Sequence, residues 1–259
     1  MSDFMVSVVM PALNEEQNLD GAVRNVLAAF EKFAVAGELL IVNDGSSDGT
    51  GRIADEFAAA YPAVSVIHHA LPEGIGASFW DGVKKCSGEI VVMLPGDGEN
   101  DAAEILRYLP LLEQVDIVVP FVFNREVRSF GRRLLSILYR EIIKASFGLS
   151  LNYMNGTVMY RKAVFSGIEL KNGGFFYQTE LLIKTIRRGH LYAEVPYALS
   201  RRGSGDSSAT TLRSLVRVAR GYVSTFMEVH AGHAGNGTPA DATVSAVRLA
   251  ALKEAGRRG

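Results

Sequence analysis

Apolar and polar positions follow two different periods along the first half of the chain. Residues 5–10 form a valine-rich apolar run closed by Pro11, the pattern of a strand buried on both faces. Leu19, Val23, Val26, Leu27 and Phe30 then recur at helical spacing, and Gly37 ends that element. Residues 39–42 read as a second strand, and the polar turn 43–50 leads into a second helix. Residues 64–67 are a third strand. Gly74 and Gly76 open a helix that runs through Trp80, Val83 and Lys84. Residues 90–94 and 117–122 complete five strands. Strands alternating with helices mean βαβ units, right-handed crossovers and a mostly parallel central sheet flanked by helices.

The pattern loosens after Phe123. Arg125, Arg128, Arg132 and Arg133 lead into a helix over 129–147, followed by a short strand at 157–160. A helix over 179–188 ends at Gly189, a last strand covers 192–199, and a polar loop at 201–208 precedes a long helix over 212–229. The reading is one body over residues 1–231, with halves at about 1–123 and 124–231. A glycine-rich linker and a helical tail follow over 232–259. The tail has little in the sequence to pack against and is expected to be mobile or dependent on oligomer contacts.

Candidate chemistry collects where strands end. The fourth strand stops at Leu94, and Pro95-Gly96-Asp97-Gly98-Glu99-Asn100 turns the chain into a helix opening on Asp101. Ligands of open α/β sheets sit just past the carboxyl ends of the strands. Asp97 and Glu99 are therefore placed where hard oxygen ligands meet a divalent cation carrying phosphates. A polar loop with an Asp N-cap is the alternative. Pro11-Ala12-Leu13-Asn14-Glu15-Glu16 ends strand one, and Asn43-Asp44-Gly45-Ser46-Ser47-Asp48-Gly49-Thr50 ends strand two. Asp44 suits a nucleobase N–H and Glu15 a ribose hydroxyl. Capping by Asn14 and by Ser46 or Asp48 accounts for part of this polarity. It does not account for three successive crossover loops that concentrate acids on one edge.

Composition narrows the field only a little. A net charge of −1 over 259 residues calls for no nucleic-acid partner, so any anion site is a local patch. The one cysteine, Cys86, excludes a disulfide framework and fits a reducing compartment. The start of the chain lacks a signal-peptide pattern, and no apolar run is long enough to span a bilayer. The expectation is a cytoplasmic protein that lies at most on the inner face of the membrane.

The motifs at residues 11–16 and 43–50, followed by an apolar strand into Gly96-Asp97-Gly98-Glu99, resemble the GT-A glycosyltransferases of family 2. The resemblance is nearest to the dolichyl-phosphate mannosyltransferase and polyprenyl-phosphate sugar synthase branch and covers roughly residues 5–210. It implies an inverting, metal-dependent transferase using Mg²⁺ or Mn²⁺ and a UDP- or GDP-linked sugar. By resemblance, Pro11, Leu13, Glu15, Asp44 and Gly76 hold the nucleotide, and Asp97 is the second acid of the Asp-x-Asp metal motif. Glu99 stands where the branch often has a metal-binding Gln. Two positions depart from the pattern: Pro95 replaces the first acid of Asp-x-Asp, and Asn43 replaces the first acid of Asp-Asp-Gly-Ser.

On the acceptor side, Arg125, Arg132 and Ser136 fall where this branch gathers arginines and a serine around an acceptor phosphate. Residues 202–208 resemble its Arg-x-x-Gly-x-Ser-Lys loop, which adds Arg202 and Ser207. Guanidinium forks suit a phosphate because they bind it bidentately. The helix after Arg132 has a broad apolar face flanked by Arg133, Arg140 and Lys144, the make-up of a helix lying on anionic lipid or of an ordinary core helix. Glu180 matches the glutamate-bearing segment that lines the site, and with Asp97 it is a candidate general base for a hydroxyl acceptor. The expected acceptor is a polyprenyl phosphate. A soluble enzyme acting on a hydroxyl and a non-catalytic nucleotide-sugar binding protein are the alternatives, and the C-terminal helices leave room for a homodimer. His68 and His69 lie at a strand end without clustered partners in the sequence and are set aside.

Overall fold

A computed structural model describes residues 4–123, 130–154, 156–198, 212–232 and 237–258, with the side chains of residues 130–135, 212–213 and 257–258 left undescribed. Seven strands form one sheet in the order β3-β2-β1-β4-β6-β5-β7. They are β1 (Val6–Ala12), β2 (Gly37–Asn43), β3 (Val64–His68), β4 (Ile90–Met93), β5 (Ile117–Val122), β6 (Met159–Arg161) and β7 (Tyr192–Tyr197). Strands β3, β2, β1 and β4 run parallel, as the alternation predicts. The short β6 enters antiparallel between β4 and β5. It separates two strands that the sequence pattern places in a single parallel series.

The helices are α1 (Leu19–Phe33), α2 (Thr50–Ala60), α3 (Ile75–Lys85), α4 (Ala102–Leu106), α5 (Phe130–Phe147), α6 (Tyr177–Arg187), α7 (Leu212–His230) and α8 (Val244–Arg258). Two apolar clusters cover the two faces of the sheet. Val6, Val8 and Met10 pack with α1 on one face, and Val9, Phe79, Val83 and Leu181 pack on the other. Because β1 is central, alternate residues feed opposite faces, and all seven of its residues are buried.

Two expectations need correction. Asn14 does not cap α1, whose N-cap residue is Asn18. Asn14 is left-handed (φ 56°), and its Oδ1 accepts from the Ser47 amide at 2.9 Å, joining the first loop to the second. The tail is also anchored rather than loose at its start. Buried Asp116 accepts from the Val244 amide at 2.8 Å, from the Ser245 amide at 3.3 Å and from the Ser245 hydroxyl, while His190 Nδ1 lies 3.1 Å away. Thr243 and Ser245 are buried as a result, whereas Val247 and Leu252 further along α8 are exposed. The sequence offered no sign of this anchor because its partners lie more than a hundred residues apart.

Candidate active site at the strand tips

The loops that leave β1, β2 and β4 are stitched together by main-chain bonds. The Asp44 amide donates to the Ala12 carbonyl at 2.9 Å, and the Gly96 amide donates to the Pro11 carbonyl at 3.0 Å. Side chains continue the seam. The Asn14 amide donates to Ser46 Oγ (3.0 Å), the Glu15 amide to Thr50 Oγ1 (2.8 Å), the Glu16 amide to Asp48 Oδ2 (3.3 Å) and the Gly49 amide to Glu16 Oε2 (2.8 Å). Glu15, Asp44, Asp97 and Glu99 are thereby carried by adjoining loops on one edge of the sheet. Leu13 is exposed at the same edge, and Pro11 is buried in β1.

Several of these polar groups have structural duties that the sequence did not disclose. Glu16 and Asp48 hold the seam. Burial raises the Asp48 carboxyl, but the Thr50 hydroxyl and amide together with the Glu16 amide more than offset that and hold it below its ordinary range. Asp44 is almost wholly buried. Its Oδ1 accepts from His69 Nδ1 at 2.8 Å and from the Glu73 amide at 2.8 Å, and its Oδ2 accepts from the Gly74 amide at 2.9 Å. It therefore fixes the turn at 73–74 and leaves lone-pair capacity mainly on Oδ2. The histidines set aside in the sequence are in fact partnered at this edge. His69 joins Asp44, and His68 lies between Asn43 (3.0 Å) and Asp55 (3.0 Å).

The two departures from the family pattern have local reasons. Asp55 can only accept, so His68 carries its proton on Nε2 and presents a bare Nδ1 to Asn43. Asn43 donates there through Nδ2 and accepts from the Ser46 amide through Oδ1 at 3.2 Å. An aspartate could do only the second. Pro95 falls between the Leu94 and Gly96 amides, which bond to Val9 and Pro11 carbonyls at 3.0 Å each, so a residue without an N–H costs no ladder bond. Asp97 is half-buried, and its Oδ1 accepts from the Glu99 amide at 3.0 Å, with Gly98 left-handed between them (φ 71°). Asp101 caps α4 through the Ala103 amide at 2.8 Å, as expected.

Gly76 and Glu180 serve packing in the described residues. The Gly76 amide donates to the Gly173 carbonyl at 2.8 Å, and a side chain at Gly76 would lie 2.6 Å from the Asn172 carbonyl. Glu180 has no exposed surface. It accepts from the amides of Lys171 and Asn172 at 3.0 Å each, from the Asn172 side chain, and from Lys184 Nζ at 2.6 Å. Lys184 also reaches Glu228 at 3.1 Å. The loop held this way, with Pro72, Glu73, Phe176, Arg217 and Arg220, lines a cleft of about 270 Å³. Its cationic residues on α7, Arg217 and Arg220, had been given no site role from the sequence. A larger hollow of about 580 Å³, lined by Gly88, Glu89 and Lys162 among others, lies where strands begin and contains none of the strand-tip acids.

Among the expected acceptor residues, Ser136 is half-buried on α5. Arg132 lies on α5 with its side chain undescribed, and Arg125, Arg202 and Ser207 lie outside the described residues. No helix among the described residues is long and apolar enough to cross a membrane.

An open α/β sheet with acids at its parallel strand tips presents them where ligands of this fold class bind. The chain belongs to the family described as Glycosyl transferase family 2, whose pattern it matches over residues 7–168. It is 29% identical over 213 residues to a polyprenol monophosphomannose synthase from Mycolicibacterium smegmatis, covering 77% of this chain and 79% of that one. It is 28% identical over 210 residues to a dolichol-phosphate mannosyltransferase from Pyrococcus furiosus, covering 78% of this chain but 58% of that protein. The fold matches glucosyl-3-phosphoglycerate synthase from Mycobacterium tuberculosis in complex with Mn²⁺ and UDP. The TM-score there is 0.63 at 22% identity, over 92% of this chain and 82% of that one. It also matches mannosyl-3-phosphoglycerate synthase from Rubrobacter xylanophilus, with a TM-score of 0.68 at 17% identity, over 88% and 75%. The GT-A expectation holds, and the chain is a glycosyltransferase of the α/β class.

Proposed function

We propose that this protein is an inverting glycosyltransferase that moves a sugar from a nucleotide sugar to an acceptor phosphate, a polyprenyl phosphate. One observation carries the reading: main-chain bonds Asp44 to Ala12 and Gly96 to Pro11 bring the acid-bearing loops of β1, β2 and β4 to one edge. The identity to polyprenyl-phosphate sugar transferases over about three quarters of the chain supports the acceptor class.

In this reading Leu13 offers an apolar wall to the base, Glu15 accepts from the ribose, and Asp44 shapes the turn at 73–74 beside the nucleoside. Asp97 and Glu99 offer hard carboxylate oxygens on one short loop, a donor set that suits Mg²⁺ or Mn²⁺. Such an ion, when bound, offsets the charge that develops on a departing diphosphate. The acceptor phosphate is held by Arg125, Arg132 and Arg202 with Ser136 and Ser207. A phosphate oxygen is already anionic, so it attacks the anomeric carbon from the face opposite the diphosphate without needing a strong base. Glu180, saturated by internal bonds, acts as a positioning residue for the loop at 171–174.

The test is transfer of labelled sugar from a panel of UDP- and GDP-sugars to polyprenyl phosphate or to a free polyprenol, with Mn²⁺ or Mg²⁺. Transfer to the phosphate that disappears in Asp97→Ala is the expected result. Transfer only to a hydroxyl acceptor, nucleotide binding without transfer, or unchanged turnover in Asp97→Ala would overturn this reading.

A further inference from the structure

Beside Asp44 the structure gathers three metal-ligating side chains that the glycosyl-transfer reading does not use. They are His69 after β3, Glu73 in the turn before α3, and Asp81 on α3, and each offers one ligand atom within 4.8 Å of the others. Acids near a histidine are common, so the case turns on the state of His69. Its side chain is 7% exposed, and among the described residues its Nε2 has no hydrogen-bond partner.

The tautomer follows from Asp44. That carboxylate only accepts, so the 2.8 Å contact at Nδ1 requires the proton to sit on Nδ1. In the neutral ring Nε2 then presents a bare lone pair. Another acceptor, Asp81 Oδ2, lies 3.5 Å from it, and the Glu73 carboxylate is within 4.8 Å. Two acceptors this close repel unless a proton or a metal cation lies between them. A carboxylate bonded to one ring nitrogen while the other faces a ligand position is also how metal-binding histidines are oriented. Two ligands each about 2.1 Å from a tetrahedral ion lie about 3.4 Å apart, close to the observed separation.

We propose that His69 Nε2, Glu73 and Asp81 form a binding site for a first-row divalent ion of the Zn²⁺ type, separate from the Asp97 loop. One imidazole nitrogen and two carboxylate oxygens suit zinc better than magnesium and leave a fourth position for water. The other Asp81 oxygen is held by Lys84 at 2.8 Å, which fixes its orientation. Asp44 Oδ1 binds both His69 Nδ1 and the Glu73 amide, so one carboxylate positions two of the three ligands. The ion would clamp the segment 69–81 that Asp44 already ties to the nucleotide edge.

The experiment uses the full chain, stripped with chelator and without nucleotide, titrated with Zn²⁺ and with Co²⁺ as a spectroscopic probe. Wild type and Asp97→Ala are expected to bind one equivalent, to show the visible ligand-field bands of tetrahedral Co²⁺ and to melt higher with Zn²⁺. Asp81→Asn and Glu73→Gln, both at positions that reach solvent, are expected to melt like wild type without metal. Each should bind Zn²⁺ at least about tenfold more weakly. Equal Zn²⁺ affinity in wild type and Asp81→Asn would overturn the proposal. So would loss of the bound equivalent in Asp97→Ala alone, or no binding by wild type, which would mark His69 as an imidazolium bridging Asp44 and Asp81.

Discussion

Glu180 and Lys184 form an ion pair of 2.6 Å with neither side chain more than 3% exposed. The carboxylate also holds the Lys171 and Asn172 amides, so it is the fastening of the loop that lines the cleft beside α7. Without Glu180, Lys184 keeps Glu228 at 3.1 Å, but the Lys171 and Asn172 amides lose their acceptor, at a cost of about 1–3 kcal/mol for each donor left unmet. Glu180→Ala is expected to lower thermal stability on that scale. Glu180→Gln is expected to retain part of the loss and to leave the shape of the pH–rate profile unchanged. A shifted profile in Glu180→Gln would instead assign it proton transfer.

Restoring the family acid at position 43 is expected to harm the protein. Asn43→Asp removes the donor that meets His68 Nδ1, leaving a buried acceptor facing an acceptor, at a cost of about 1–3 kcal/mol. Denaturant titrations of the two proteins check both the size and the sign.

Asp116 ties α8 to the sheet. Burial alone raises its carboxyl, but His190, the Ser245 hydroxyl and the Val244 amide outweigh that and hold it below the ordinary 3.8. A depressed carboxylate contributes stability that is fully present above the unfolded value and is lost as pH falls through the folded one. Acid unfolding of wild type should therefore include a loss below pH 3.8 that Asp116→Asn lacks. At neutral pH Asp116→Asn should melt lower and exchange the amides of Val244 and Ser245 faster.

Gly76→Ala tests loop docking. The added methyl would lie 2.6 Å from the Asn172 carbonyl and 2.7 Å from Tyr177 Cβ, so the 172–173 segment must move. Overpacking of this kind costs about 1–3 kcal/mol. A melting curve matching wild type would mean that the loop shifts freely.

The parallel half of the sheet was legible because buried strands of four to seven residues leave continuous apolar runs, and the helices between them keep a 3.6-residue period. The strand-tip acids were legible for the same reason: each follows directly on such a run. What the sequence concealed depends on contacts across long separations. The Asn14–Ser47 bond, the Asp116–Ser245 anchor and the pairing of His69 with Asp44 each join segments that no local period relates. β6 was read as a strand, but its antiparallel insertion between β4 and β5 is set by the partners it meets, not by its three residues.

The anchoring of α8 has a practical corollary for anyone trimming this protein. A chain stopped after α7, at the end of the long amphipathic helix, would strip Asp116 of the Val244 and Ser245 donors while His190 stayed beside it in the interior. Such a shortened protein keeps every strand-tip acid yet leaves the Asp116 carboxylate with only His190 and, at 3.8 Å, Arg161 beside it. Expression yield, rather than chemistry, is where the missing tail would first be felt.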